Sequence, residues 1–417
     1  MSAADLITRE ARFGAHNYAP LPIVLSHGQG VHLFDIEGKS YLDMMSAYSA
    51  ASFGHLHPRL VAALQRQLGR LDLVSRAYHT DNLGAFCEGL ARLAGLDACL
   101  PVNTGAEAVE TAIKAARRYG YDHLRIPEGK AEIIVAENNF HGRTTTIIGF
   151  SSDVSYRRGF GPFAPGFVTV PFGDATATEA AIGKRTAAVL VEPIQGEAGI
   201  IVPPQNYLAD LRRICTRHNI LLIFDEVQSG LGRTGRMFAF EHEEARPDGL
   251  IIGKALGGGL LPVSAFVARR ELMDVFGPGS HGSTFGGNPL AMAVACEAMQ
   301  VLKDENLVER SRKQGETLRD SLNHIAHPAI RAVRGKGLWV GVEIDPEQIA
   351  AKDVCLAMAR RGVLTKETHE TVIRFAPPLI IEEADVLAAV DVFAAALEDC
   401  RPRRTNRRSA ASAEPAV

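Results

Sequence analysis

No uninterrupted apolar stretch in these 417 residues is long enough to span a bilayer. Met1-Ser2-Ala3-Ala4-Asp5-Leu6-Ile7 lacks the basic start and apolar core of a secretion signal, so a cytoplasmic protein is expected. Cysteine is scarce. Cys87, Cys99, Cys215, Cys296, Cys355 and Cys400 form no close pair of metal-ligand or redox spacing, and reduced thiols are the expected state. His55 and His57 lack an acidic or thiol partner at fitting spacing, so no metal is expected. An excess of one charge is also missing: the formal net charge is −3 and the basic residues are dispersed. That leaves no electrostatic footprint for nucleic acid or an anionic membrane, and points to a small-molecule partner. There is no internal repeat.

What is present is an ordinary globular composition, 46% hydrophobic and 22% charged, in a chain too long for one small core. Val31-His32-Leu33-Phe34-Asp35 and Lys39-Ser40-Tyr41-Leu42-Asp43 flank a turn and read as a hairpin within an N-terminal arm, residues 1–57. From about Pro58 to Asn288 helices alternate with short apolar strands such as Glu132 to Ala136, Ala188 to Val191 and Ile220 to Val227. That alternation predicts an α/β domain with a mainly parallel sheet covered on both faces and a site at the carboxyl ends of its strands. Residues 289–400 read as a smaller α+β domain. The basic stretch from Arg401 to Arg408 and the Ala/Ser/Pro run after it have no apolar face, so 401–417 is expected to be a disordered tail.

Two segments carry chemistry. Ile220 to Gln228 and Asp248 to Gly259 each begin as a short apolar run and deliver one charged residue at its carboxyl end, Asp225 and Lys254. This pair suits pyridoxal phosphate, whose ring nitrogen needs a fixed carboxylate to stay protonated and whose aldehyde needs a lysine amine for a Schiff base. Taken singly, the acid could merely end a strand near a helix dipole, and the lysine could be a solvated loop residue. A phosphate also needs backbone donors. Asn103-Thr104-Gly105-Ala106-Glu107-Ala108 leads through a glycine into a helix with Val109, Ile113 and Ala116 on one face, making an anion site around Gly105 and Ala106. A second small-residue turn, at Ser283 and Thr284, precedes Pro289.

The ordered set Asn103 to Ala108, Phe140-His141-Gly142-Arg143-Thr144, Glu192-Pro193-Ile194-Gln195-Gly196-Glu197, Asp225-Glu226-Val227-Gln228, Gly253-Lys254 and Ser283 to Asn288 closely resembles the class III, or ω-amino acid, aminotransferases of pyridoxal phosphate fold type I. The resemblance runs from about Asn17 to Ala396. It implies a seven-stranded-type sheet in the large domain and a homodimer or dimer of dimers. Asn17 to Pro22, Ala47-Tyr48-Ser49-Ala50, Ser75 to Tyr78 and Ile373 to Leu379 make it most similar to the members acting on ornithine. The implied reaction moves the δ-amino group of ornithine to a 2-oxo acid. Acetylornithine, 4-aminobutyrate and lysine stay open as alternative donors, and an aminomutase or racemase is a further alternative.

The resemblance also implies roles. Phe140 stacks on one face of the cofactor ring and Val227 packs on the other; Gln228 lies near the phenolic oxygen, and Thr284 reaches the phosphate of a neighbouring subunit. Arg143 and Tyr18 hold the substrate's distal carboxylate, Tyr48 helps select ornithine, and Glu197 with Arg374 forms a switchable pair. Phe140 and Val227 could equally be core residues, Tyr18 an arm residue packing at an interface, and Glu197 with Arg374 a static ion pair. No catalytic role is expected of His141. A sensor-type transcription regulator is disfavoured, because the short arm has no room for a DNA-binding segment.

Overall fold

The computed structural model describes residues 1–400; the tail expected at 401–417 lies outside the described residues. Its centre is a seven-stranded sheet. In spatial order the strands are Ala98–Val102, Ser264–Ala268, Gly249–Ile252, Leu221–Asp225, Thr186–Val191, Glu132–Ala136 and Phe167–Val170. Only Ser264–Ala268 runs against the others.

The apolar runs explain this arrangement. Every residue of Thr186–Val191 and Leu221–Asp225 is buried, as expected of strands covered on both faces. Along the second of these strands the pleat alternates. Leu221 and Ile223 enter one core with Val109, Ile113 and Phe266, whereas Leu222 and Phe224 enter the other with Leu250 and Ile252. The wholly buried Phe224 makes Phe224→Ala costly, by about 3–5 kcal/mol. The helix Gly105–Asp122 covers the first face with Ala108, Ala112, Ala115 and Ala116, whose small side chains allow close approach to the sheet. Its start is fixed by a capping box in which Thr104 accepts from Glu107 N and Glu107 accepts from Thr104 N.

Two four-stranded sheets flank this core. Ile330–Gly335, Val340–Ile344, Val372–Phe375 and Glu367–Thr368 form an antiparallel sheet backed by the helices Leu307–Asn323, Ala351–Arg360 and Glu383–Asp399. Near the N-terminus, Leu25–Gln29, His32–Asp35 and Ser40–Asp43 pair antiparallel, and Val363–Leu364 joins them in parallel. The arm is therefore stitched to the C-terminal region by a strand remote in sequence.

The turn after the strand Ser40–Asp43 holds a local surprise. Ser46, Ala47, Tyr48 and Ser49 have φ of 41°, 46°, 59° and 74°, four consecutive left-handed residues without a glycine. Each costs roughly 1–2 kcal/mol in isolation. Hydrogen bonds hold the turn: Asp43 Oδ1 accepts from Met45 N and Ser46 N at 2.9 and 2.8 Å, and Ser46 donates to the Ala376 carbonyl at 2.6 Å. The fully buried Arg233 donates to Ser46 and Ser52 at 3.2 and 2.9 Å, and to the carbonyls of Leu338 and Pro377 at 2.9 and 2.6 Å. One guanidinium thus ties the Tyr48 turn to the chain just past Arg374.

Candidate active site

At the carboxyl ends of the parallel strands lies a cavity. Six of its lining residues, Gly105, Ala106, Phe140, Asp225, Val227 and Gln228, come from three separate stretches of chain, and Lys254 lines it from a fourth. Asp225 ends its strand buried, with Val227 N donating to Oδ1 at 3.0 Å. Lys254 follows Gly249–Ile252 and begins a short 3₁₀ turn with φ +45°, a backbone setting that non-glycine residues rarely adopt. Burial lowers its pKa, and the carboxylates of Glu197 and Asp225 oppose that shift without cancelling it. The shift is in the direction of the neutral amine.

The amides of Gly105 and Ala106 head the capped helix and have no hydrogen-bond partner among the described residues. A Cβ at Gly105 would sit 3.0 Å from Val227 Cγ1, so glycine is what lets this backbone approach the cavity wall. Free N–H groups at a helix start, a buried acid, an amine and an aromatic ring in one cavity fit pyridoxal phosphate; the helix start would hold its phosphate, Asp225 its ring nitrogen and Lys254 its aldehyde.

Beside the cavity, Arg374 donates to Glu197 through two parallel bonds, Nη1 to Oε1 at 3.0 Å and Nη2 to Oε2 at 2.7 Å, with a third to Thr368 Oγ1 at 2.8 Å. Burial works to raise the Glu197 pKa, but Arg374 outweighs it and the carboxyl is held below its ordinary range. The guanidinium lies 5.4 Å from the Tyr48 ring centroid. Gln228 donates to Glu197 at 3.4 Å, and its own Oε1 is buried with no partner. Arg143 is exposed and makes no ion pair among the described residues; its guanidinium stacks on Tyr156 at 3.9 Å and lies 5.6 Å from the Phe140 ring.

Tyr18 and Thr284 are not brought into the cavity. Tyr18 is 79% exposed. Thr284 is also exposed, but the loop that carries it is anchored to the helix cap through Ser283, which accepts from Asn103 Nδ2 at 2.9 Å.

The sequence signature described as Aminotransferase class-III matches residues 13–397. The chain belongs to the class III aminotransferases. An ornithine aminotransferase of Brevibacillus brevis is 53% identical over 392 residues, covering 94% of this chain and 98% of that one. Among solved structures, an ornithine aminotransferase from Toxoplasma gondii, with pyridoxal phosphate in partial occupancy at its active site, superposes with a TM-score of 0.94 at 42% identity, covering 96% of this chain and 95% of that one. An acetylornithine aminotransferase from Elizabethkingia anophelis gives 0.87 at 44% identity, covering 96% and 100%. These similarities accord with the fold type I architecture of the large sheet.

For a class III aminotransferase, the surroundings of Asp225 hold residues that motif reading left without a role. His141 is buried and its Nδ1 lies 2.7 Å from Asp225 Oδ2. Since a carboxylate only accepts, that nitrogen carries the hydrogen. Burial disfavours the imidazolium, yet the bond to Asp225 and the charges of Asp225 and Glu192 win, and its pKa is raised. Glu192 is buried and accepts from Phe140 N at 2.9 Å, which ties the aromatic residue of the cavity in place. Burial pushes its pKa up to about 7, against the pull of His141. Glu226 faces away from this chemistry and accepts from Ala239 N, Phe240 N and Ser229, holding a 3₁₀ turn. Tyr156 carried no motif at all; only its neighbourhood to Arg143 reveals it.

Proposed function

We propose that this chain transfers the δ-amino group of L-ornithine to 2-oxoglutarate, giving glutamate 5-semialdehyde and glutamate. Its cofactor is pyridoxal 5′-phosphate, which supplies an aldehyde to take up the amino group and a ring that withdraws electrons from the carbon being deprotonated. Asp225 holds a proton on the ring nitrogen by charge attraction. Lys254 carries a proton to and from the substrate carbon as a neutral amine. Phe140 and Val227 bound the ring, the Gly105 and Ala106 amides take the phosphate, and Gln228 lies toward the phenolic oxygen.

The reading rests above all on the contrast between the two arginines. Arg374 is clamped by Glu197, whereas Arg143 is free of any carboxylate among the described residues. An ω-amine substrate that carries no carboxylate next to its reacting carbon suits a neutralised Arg374, and its distant α-carboxylate suits Arg143, with Tyr18 and Tyr48 as neighbours. When the 2-oxo acid enters, Glu197 releases Arg374 to bind the carboxylate beside the reacting carbon.

Three further elements belong to this proposal. The protein is a homodimer in which Thr284 reaches the partner's phosphate site; it works in the cytoplasm, in keeping with six free cysteines; and it divides at about residues 57 and 288. The likeness to an acetylornithine aminotransferase favours a second reading, N-acetylornithine as donor. Assaying ornithine, N-acetylornithine, 4-aminobutyrate and lysine against 2-oxoglutarate tests both. Ornithine should lead in kcat/KM by about tenfold or more; a lead for N-acetylornithine overturns the substrate assignment.

A further inference from the structure

We propose that Tyr156 is a positioning residue that orients Arg143 for the carboxylate remote from the reacting amine. The inference rests on the substrate reading above and names the side chain that makes it specific. Arg143 lies on a short connection, and Thr144 right after it caps the helix Thr145–Gly149 and donates to Glu110 at 2.6 Å. The backbone is therefore pinned, while the long side chain projects to an exposed position with no ion-pair partner among the described residues. An unsupported arginine there would sample many rotamers and present its donors in no fixed plane.

Tyr156 removes that freedom. It sits on the short helix Val154–Arg157, whose start is held by Asp153 accepting from Ser155 N at 2.8 Å. The Phe140 ring meets it edge-on, with centroids 6.1 Å apart and planes at 78°, so a wall of the cavity fixes the tyrosine in turn. The Arg143 guanidinium lies 3.9 Å from the Tyr156 centroid, which occupies one face of the cation and leaves its edge N–H groups for a bidentate carboxylate. Burial raises the Tyr156 pKa, Arg143 opposes it, and the charges of Glu197 and Arg374 also reach the ring. The Tyr156 hydroxyl has no hydrogen-bond partner among the described residues, so the ring rather than the hydroxyl does the orienting.

The test uses the pyridoxal phosphate-loaded enzyme and two measurements: calorimetric titration with glutarate, a dicarboxylate with no amine or carbonyl, and steady-state kinetics with ornithine. Tyr156→Leu should weaken glutarate binding and raise the ornithine KM by about three- to thirtyfold with kcat little changed, the range of a partly desolvated cation–π contact. Tyr156→Phe should restore both. In an Arg143→Ala background, Tyr156→Leu should add nothing further. A Tyr156→Leu effect that persists without Arg143, or a loss carried by kcat and melting temperature alone, overturns the inference. If the parent enzyme does not transaminate ornithine, the substrate reading fails while the glutarate titration still decides the role of Tyr156.

Discussion

His141 Nδ1 and Asp225 Oδ2 lie 2.7 Å apart, both side chains buried, although 84 residues separate them in sequence. Because Val227 N occupies the other carboxylate oxygen, Asp225 is held from two sides in one orientation. His141→Phe should keep the fold but loosen that carboxylate. Removing one hydrogen bond to a charged group is worth about 1.5–3 kcal/mol, so pyridoxal phosphate affinity and turnover should each fall by roughly ten- to hundredfold. Absorbance titration with the cofactor checks this; unchanged affinity would make the bond a packing feature only.

Lys254 is the lysine that closes the cavity, and its lowered pKa favours the amine that attacks an aldehyde. Borohydride reduction of the loaded protein should place the cofactor on the peptide containing Lys254. Lys254→Ala should abolish both the adduct and turnover. An adduct on another lysine refutes the assignment.

On the proposed reading, the clamp between Glu197 and Arg374 distinguishes the two half-reactions. Glu197→Ala should leave Arg374 unmasked, so glutamate reacts faster as an amine donor while ornithine slows or stays level. Arg374→Ala should impair the 2-oxoglutarate step much more than the ornithine step, because only that step uses the guanidinium as an anchor. Single-turnover absorbance changes report each half. Equal losses in both halves for both variants would leave a static ion pair.

Glu226 offers a pH test away from the cofactor. Burial pushes its carboxyl up from an ordinary 4.5 to about 7, against the hydrogen bonds it accepts. A carboxyl with a raised folded pKa binds protons more tightly when folded. Its contribution to stability is therefore best below pH 4.5 and declines until about pH 7, then levels. Glu226→Gln cannot ionise, and its amide group cannot accept from both Ala239 N and Phe240 N, a loss of about 1–3 kcal/mol. The deficit of the variant should be largest near pH 5 and should shrink toward pH 8, as read by denaturant titration. A deficit constant across that window would contradict the raised pKa.

Much of this site was legible in sequence because its signals are local. A buried strand announces itself by a continuous apolar run, and the residue at its end must emerge where the sheet stops; the positions of Asp225 and Lys254 follow from that, and their pairing makes them candidates. A glycine before an amphipathic helix likewise marks Gly105 and Ala106, since helix geometry obliges the first amides to lack internal partners. The clamp of Glu197 and Arg374 came only from family resemblance, because the two residues lie 177 positions apart.

Other features required the folded chain. His141 beside Asp225, Glu192 beneath the Phe140 amide and Tyr156 under Arg143 are pairings between segments that only sheet order and loop packing bring together. No local pattern distinguishes them from ordinary buried or loop residues. The left-handed turn at Ser46 to Ser49 runs against the backbone preference of its own residues, and Arg233, Asp43 and the Ala376 carbonyl supply the bonds that hold it. Sequence by itself determined where strand ends and helix starts fall, and so which residues there were candidates for the chemistry, since both follow from short-range periodicity. The tertiary structure alone decided how those residues are oriented and charged, since orientation and pKa depend on neighbours supplied by distant parts of the chain.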